Sequence, residues 1–259
     1  MKVILLAGGA GSRISEESEY RPKPMIEIGG MPIIWHIMKE YSYYGFNDFI
    51  ICGGYKQYMI KKWFADYYFY TSDMTFKMKN GNQVEIYNRR TEPWNVTVVD
   101  TGEKTMTGGR IKRVKEYVGD ETFMLTYGDG VCDVDIGQLV SFHRQHGKKA
   151  TITSVIQDQS KGLVHVANDN SVRAFREKRT EDATRINAGY MVFEPAVFEL
   201  LKNDNTVLET DVLSVLAMDG ELMSYTHNGF WQCMDTLLEK RKIESLISAG
   251  KAPWVKWQS

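Results

Sequence analysis

Short apolar runs alternate with helical patterns in the first third of the chain. Residues 3–6 and 49–52 are unbroken apolar runs, which is typical of strands buried on both faces of a parallel sheet. Between them, residues 32–44 carry apolar side chains at helical spacing, and residues 58–68 form a second, strongly aromatic helical segment. This β–α–β–α order with short connections predicts an α/β fold in which right-handed crossovers join parallel strands.

The rest of the chain predicts further strands and helices in a less regular order. Alternating or apolar runs predict strands at 74–78, 83–87, 95–100, 123–126, 150–156, 163–167, 171–176, 187–193 and 223–227. Helical spacing predicts helices at 107–117, 135–146, 195–201, 208–219 and 236–249, with a turn at 229–231. We therefore expect a mixed, mostly parallel sheet flanked by helices.

Composition narrows the class of protein. With 259 residues, 43% apolar and 25% charged, the chain has the composition of a globular protein, and we expect residues 1–259 to form a single domain. The net charge of −1 argues against nucleic acid as a partner. The absence of a basic leader and of a long apolar run argues against export and against a membrane span. Three cysteines without metal spacing predict reduced thiols and a cytoplasmic location.

The first predicted strand ends in a glycine-rich turn, Ala7-Gly8-Gly9-Ala10-Gly11. Glycine lets a backbone lie close to a ligand, and consecutive N–H groups bind anions. Arg13 follows the turn, and Lys23 stands between two prolines. The combination suits a triphosphate, with both cations stabilising a departing pyrophosphate, although a glycine turn alone is also typical of an ordinary βα loop. No Gly-Lys-Ser/Thr follows, and Ile14 replaces the third glycine of a dinucleotide motif.

Two carboxylates are candidates for holding a cation. Asp129, flanked by Gly128 and Gly130, directly follows a predicted buried strand, where open α/β sheets bind their ligands; an Asp in a tight turn is the alternative. Asp235 precedes the last helix, and its position alone favours a helix N-cap. A capping carboxylate keeps one oxygen free, so the pair can hold Mg²⁺ over a triphosphate.

Other polar residues are weaker candidates. Arg110 lies in the first turn of a predicted helix and can contact a nucleotide or solvent. Lys178 at a strand end is a candidate for binding the acceptor's phosphate, and Asn187 and Gly189 for approaching a hydroxylated ligand; a structural role is the alternative for each. His143 and His146 lack further ligand spacing, and we interpret them as a solvated helix face.

The wider motif around the glycine turn is more specific. Ala-Gly-Gly-x-Gly-Ser-Arg followed by Arg-Pro-Lys-Pro-Met resembles the signature of the sugar-1-phosphate nucleotidyltransferases. The segments EPWNVTVVDTG, TMTGGR and GFWQCMDT, together with most of the remaining chain, resemble the glucose-1-phosphate cytidylyltransferases in particular.

This resemblance implies a Rossmann-like nucleotidyltransferase fold and synthesis of CDP-glucose and pyrophosphate from CTP and glucose 1-phosphate. It implies a mainly nucleotide-binding half at 1–150 and a mainly acceptor-binding half at 151–259. It places Mg²⁺ on Asp129 and Asp235. It implies that CTP or the acceptor is bound by Leu6, Ala7, Gly8, Gly9, Ala10, Gly11, Ser12, Arg13, Lys23, Thr105, Arg110 and Gly128. The family also forms oligomers, and the aromatic segment 55–70 and the insertion 71–100 offer surface for a homo-oligomer.

The departures from the family pattern cluster in the acceptor half. They fall at 160–162, 177–179, 187–190 and 210–213, and they include Ala188 in place of a glycine. A cytidylyltransferase for a different phosphorylated acceptor is therefore an alternative. A catalytically silent nucleotide sensor is a further one, which the presence of both metal-ligand candidates disfavours.

Overall fold

A computed structural model describes residues 1–9, 14–81, 83–88, 91–157, 163–166, 171–176 and 184–257. The predictions for Ala10, Gly11, Ser12, Arg13 and Lys178, and for the departures at 160–162 and 177–179, lie outside the described residues. Among the described residues, no helix is both long and apolar enough to cross a bilayer.

A seven-stranded mixed sheet organises the molecule. In chain order, the strands of the structure are β1 Val3–Ala7, β2 Glu27–Ile28, β3 Met31–Pro32, β4 Asp48–Gly53, β5 Asp73–Lys77, β6 Gln83–Tyr87, β7 Asn95–Asp100, β8 Phe123–Tyr127, β9 Gly130–Cys132, β10 Ala150–Gln157, β11 Leu163–Val166, β12 Val172–Arg176, β13 Thr184–Phe193, β14 Leu222–His227 and β15 Trp231–Cys233. The large sheet has the order β14-β10-β13-β8-β1-β4-β7. Only β13 runs against the other six strands of this sheet.

Helices cover both faces of the sheet. The α-helices are α1 Ser15–Ser18, α2 Ile33–Tyr43, α3 Gln57–Ala65, α4 Tyr67–Thr71, α5 Thr107–Arg113, α6 Lys115–Val118, α7 Ile136–His146, α8 Ser214–Met218 and α9 Leu237–Ser248. Short 3₁₀-helices occupy Lys23–Met25, Met78–Asn80 and Pro195–Leu200, and a π-helix spans Leu208–Leu213.

The burial of β1, an interior strand of the sheet, explains why the sheet is covered by helices on both faces. Val3, Leu5 and Ala7 belong to one buried cluster, which α2, α7 and α9 help to form. Ile4 and Leu6 point to the other side, into a second cluster with α5 and α6. Alternate side chains of a strand face opposite sides of the sheet, so an unbroken apolar run is what two covered faces require.

The structure refines several predicted elements. The helix predicted at 107–117 is divided at Val114 into α5 and α6, and the one predicted at 208–219 begins as a π-helix before it continues as α8. The turn predicted at 229–231 is wrong at its last residue, because Trp231 begins β15. That strand pairs with β9 in an antiparallel ribbon, a long-range pairing with no local signal.

Candidate active site

A cavity of about 560 Å³ opens at the carboxyl edge of the sheet, where β1 and β8 end side by side. Its walls combine residues from both halves of the chain: Leu6, Ala7, Gly8, Gly9, Lys23, Pro24, Thr105, Thr107, Arg110, Thr126, Tyr127, Gly128, Asp129, Gly130, Asn187, Ala188, Glu209, Trp231, Cys233 and Asp235. The cavity therefore brings together every described residue that we predicted to bind nucleotide, acceptor or metal, with the exception of Gly189.

Arg110 is a buried side chain that is hydrogen-bonded to the glycine turn at Gly8. Its side chain is only 5% exposed, and it donates to the Gly8 carbonyl at 3.1 Å and to the Gly102 carbonyl at 2.6 Å. Further bonds reach the Gly53 and Glu103 carbonyls and the Thr101 hydroxyl. Arg110 is thus neither a solvent-exposed side chain nor free to turn all its donors toward a ligand.

The same contact explains Gly8. A Cβ on Gly8 would lie 2.1 Å from the nearest guanidinium nitrogen of Arg110, far inside van der Waals contact. The glycine therefore lets the buried guanidinium pack directly against the turn. The position of the turn at the cavity depends on this packing.

Lys23 lies between the two predicted metal-binding carboxylates. Its ammonium donates to Asp129 Oδ2 at 2.7 Å and to Asp235 Oδ1 at 2.5 Å. Burial acts against the charge of Lys23, but electrostatic attraction to Asp129 and hydrogen bonds to both carboxylates outweigh burial and raise its pKa. The lysine is therefore a protonated cation at neutral pH.

The ribbon of β9 and β15 sets the two carboxylates beside each other. Gly130 of β9 pairs with Cys233 of β15, and the Met234 amide donates to the Asp129 carbonyl at 2.8 Å. Asp129 directly precedes β9 and Asp235 follows β15 by two residues, so the pairing brings the two positions together at one end of the ribbon. Residues more than a hundred positions apart in the sequence thereby share one site.

The cap of α9 differs from the prediction. Thr236, not Asp235, is the N-cap, because its hydroxyl accepts from the Glu239 amide at 3.3 Å and Glu239 completes a capping box. The Asp235 amide also donates to Glu239 Oε2 at 2.8 Å. Thr and Glu three residues apart satisfy the free amides of the helix, which leaves the Asp235 carboxylate to face Lys23.

The donor atoms fit a divalent cation. One ligand atom each from Asp129, Cys233 and Asp235 lie within 4.8 Å of one another. The two carboxylates already share a cationic group, the Lys23 ammonium. Carboxylate oxygens are hard donors of the kind that Mg²⁺ prefers.

Of the described residues predicted to bind the acceptor, Asn187 lines the cavity and Gly189 does not. Asn187 and Ala188 line it, and the Ala188 carbonyl accepts from Trp231 Nε1 at 2.8 Å. Gly189 has a φ of +87°, and a Cβ there would lie 2.5 Å from the Tyr127 ring. The close approach that Gly189 permits is therefore to Tyr127.

Sequence reasoning missed Tyr127, Thr107, Glu209 and Trp231 as cavity residues. Tyr127 had a local signal, because it stands at the carboxyl end of a predicted buried strand. Glu209 had none, since it lies on a π-helix far away in the sequence.

The interpretation of His143 and His146 as a solvated face is wrong for His143, which is 1% exposed. Its ring bonds to Thr151 Oγ1 at 2.8 Å and to Glu194 Oε1 at 3.0 Å. His146 also bonds to Thr151 Oγ1, at 2.7 Å. Helical spacing alone did not reveal that α7 packs this face against the sheet.

The fold is shared with solved structures of other proteins. The crystal structure of HddC from Yersinia pseudotuberculosis superposes with a TM-score of 0.66 at 22% identity, over 95% of this chain and 99% of that one. The structure of apo-UDP-glucose pyrophosphorylase gives 0.68 at 17% identity, over 96% and 98%. At these identities the likeness establishes the Rossmann-like, mostly parallel architecture.

Sequence comparison is more specific. The family model described as Nucleotidyl transferase matches residues 2–236. The glucose-1-phosphate cytidylyltransferase of Salmonella typhimurium is 52% identical over 259 residues, all of both chains. The probable glucose-1-phosphate cytidylyltransferase of Bacillus subtilis is 41% identical over 258 residues, 99% of this chain and 100% of the relative. The chain therefore belongs to the nucleotidyl transferase family and, within it, to the glucose-1-phosphate cytidylyltransferases.

Proposed function

We propose that this chain transfers the cytidylyl group of CTP to glucose 1-phosphate and releases pyrophosphate. A phosphate oxygen of glucose 1-phosphate attacks the α-phosphorus of CTP. The bond from that phosphorus to the oxygen bridging to the β-phosphate breaks, and the products are CDP-glucose and pyrophosphate. The observation that carries the proposal is the single cavity in which the glycine turn meets Lys23 and its two carboxylates.

The residues of the cavity suit this chemistry. Gly8 and Gly9, the described glycines of the turn, line the cavity where backbone amides can bind phosphate oxygens, and Arg110 holds Gly8 through its carbonyl. The Lys23 ammonium is held at the end of β8, where it can stabilise charge on the transferred phosphate. The attacking phosphate is already anionic, so the reaction requires no general base.

We further propose that Asp129 and Asp235 hold Mg²⁺. The chemistry that the ion supplies when bound is neutralisation of charge on the phosphate undergoing transfer. The short distances between the two carboxylates and one shared cation support this assignment.

The identity of the nucleotide and the need for a metal are tested together. Purified enzyme is mixed with glucose 1-phosphate, Mg²⁺ and one of CTP, UTP, dTTP, ATP or GTP, and sugar nucleotides are separated by anion-exchange chromatography. We expect CDP-glucose with CTP, at least about tenfold less product with each other nucleotide, no product after chelation, and recovery when Mg²⁺ is restored. Equal use of several nucleotides, or full activity in chelator, would contradict the proposal.

Use of a phosphate monoester other than glucose 1-phosphate would be a separate result. Ala188, which stands where the family has glycine, adds a methyl group to the cavity wall. Formation of a CDP compound from another phosphate monoester, with none from glucose 1-phosphate, would assign the altered acceptor half to that substrate.

We also propose a cytoplasmic homo-oligomer. The support for self-association is the β5–β6 hairpin, which presents exposed apolar side chains including Phe76, Met78 and Val84. The support for a reducing compartment is that Cys52, Cys132 and Cys233 are all unpaired with one another.

A further inference from the structure

Glu209 places in the cavity a carboxylate that does not belong to the ion-pair cluster of Lys23, Asp129 and Asp235. Among the described residues that line the cavity, the acidic ones are Asp129, Asp235 and Glu209. The first two share the Lys23 ammonium. Glu209 has no lysine or arginine within ion-pair distance among the described residues, and its hydrogen-bond partners are hydroxyl groups. Its negative charge therefore acts on whatever occupies this part of the cavity.

The side chain of Glu209 is fixed in place. Tyr127 donates its hydroxyl to Glu209 Oε1, and Thr107 donates its hydroxyl to Oε2 at 2.9 Å. The Thr107 oxygen in turn accepts from the Leu208 amide at 2.8 Å. Burial and the neighbouring Glu209 carboxylate raise the pKa of Tyr127, so its hydroxyl stays a donor.

The carboxylate retains capacity for a ligand. Each carboxylate oxygen accepts about two hydrogen bonds, and the described residues donate one side-chain hydrogen bond to each. Both substrates of the proposed reaction carry phosphates, which an unpaired carboxylate repels. Glu209 consequently suits a part of a substrate that is rich in hydroxyl donors and free of phosphate, which in these substrates is a sugar ring.

The contacts of Tyr127 indicate which sugar ring. The Tyr127 ring packs against Gly189. Gly189 follows Asn187 and Ala188, which line the cavity and belong to the half of the chain that we expect to bind the acceptor. Asn187 Oδ1 accepts from the Gly189 amide at 2.9 Å, and within the described part of the chain no acceptor binds the Asn187 side-chain nitrogen, which is a further donor beside Ala188. Tyr127 therefore contacts both the Glu209 carboxylate, through its hydroxyl, and the segment 187–189, through its ring.

We propose that Glu209 is a specificity-determining residue whose carboxylate accepts hydrogen bonds from hydroxyl groups of the acceptor sugar. The inference rests on the proposed function. It names Tyr127 and Thr107 as positioning residues, which hold the carboxylate in the orientation that the sugar requires.

The test compares deoxygenated substrates. Steady-state kcat/KM is measured for glucose 1-phosphate and for its 2-, 3-, 4- and 6-deoxy analogues, and separately for CTP and 2′-deoxy-CTP. We expect the wild-type enzyme to discriminate against at least one deoxy acceptor by about ten- to hundredfold, since hydrogen bonds to charged groups are strong. In Glu209→Gln that discrimination should fall at least about fivefold at the same sugar position, while discrimination between CTP and 2′-deoxy-CTP stays unchanged.

Matched variants and wild-type data keep the test decisive. Glu199→Gln, an exposed position outside the cavity, should retain wild-type selectivity. If Glu209→Gln slows all acceptors equally, the role is structural and the inference fails. If it alters selectivity for the ribose instead, the assignment to the acceptor fails.

Two outcomes need no variant. A wild-type enzyme that turns over glucose 1-phosphate but discriminates against no deoxy acceptor would overturn the inference alone. A wild-type enzyme with no turnover of glucose 1-phosphate would overturn the proposed function, and the inference with it.

Discussion

Arg110 lines the cavity, but most of its hydrogen-bond donors are used to support the surrounding backbone. Five described hydrogen bonds tie its guanidinium to backbone carbonyls and to the Thr101 hydroxyl. A guanidinium offers five N–H donors in a fixed planar fork, whereas an ammonium offers three from a single nitrogen. We interpret Arg110 as the residue that fixes the glycine turn relative to β4.

Replacement of Arg110 by lysine should weaken both the fold and the binding of CTP. Arg110→Lys removes most of the fork and leaves buried carbonyls without donors, so we expect the free energy of unfolding to fall by about 2–4 kcal/mol. Because the glycine turn loses its support, CTP affinity should weaken as well. Urea denaturation and calorimetric titration with CTP measure the two effects.

Arg113→Lys is the matched control. Arg113 is on the same helix and pairs with Asp204, but its side chain is 42% exposed. An exposed ion pair contributes about 0–1 kcal/mol, so this variant should change stability little. A loss of CTP affinity in Arg110→Lys at unchanged stability would show that Arg110 acts mainly on the ligand.

At the scale of elements, α7 is joined to the sheet by a chain of neutral histidines. The Lys148 amide donates to His146 Nδ1 at 2.9 Å, so His146 Nε2 must carry the proton that it donates to Thr151 Oγ1. The Thr151 hydroxyl then donates to His143 Nδ1, and His143 Nε2 donates to Glu194. Each imidazole nitrogen acts either as a donor or as an acceptor in this chain of hydrogen bonds. A second proton on either ring would turn an acceptor nitrogen into a donor and break one of the bonds.

This chain predicts acid sensitivity. Burial lowers the pKa of His143 and of His146. The unfolded state therefore binds more protons below about pH 6.5, and stability must fall as the pH drops through that value. Between pH 7 and pH 5 we therefore expect the free energy of unfolding to fall, with His143 contributing to that loss.

The comparison is between wild type and His143→Gln. Glutamine can accept from Thr151 and donate to Glu194 without titrating, so the variant should lose less stability on acidification. Urea unfolding at a series of pH values measures this difference. Equal pH dependence in the two proteins would show that the histidine chain does not control acid stability.

For the whole molecule, the large sheet was predictable and the assembly of the site was predictable only in part. Apolar runs such as Val3–Ala7 identify buried strands because both faces of this sheet are covered. Glycine turns and Asp129 follow these strands directly, so their place at the carboxyl edge follows from topology.

Other features depended on contacts between distant segments. The pairing of β15 with β9, which brings Asp235 close to Lys23, has no periodic signal. The burial of His143 and the position of Glu209 depend on how helices pack on the finished sheet. The roles of the predicted site residues remain predictions, even though most of the described ones line one cavity.

The central claim is that Lys23 and its two carboxylates form the centre for cytidylyl transfer. The measurement that tests it most directly is pyrophosphate release from CTP and glucose 1-phosphate by wild type, Lys23→Met and Lys61→Met, an exposed lysine on α3 outside the cavity. We predict a wild-type kcat/KM of about 10⁴ M⁻¹s⁻¹ or more, a loss of at least about 100-fold in Lys23→Met, and a change within about twofold in Lys61→Met. Wild-type turnover by Lys23→Met, or silence of the wild-type enzyme with this substrate pair, would contradict the account.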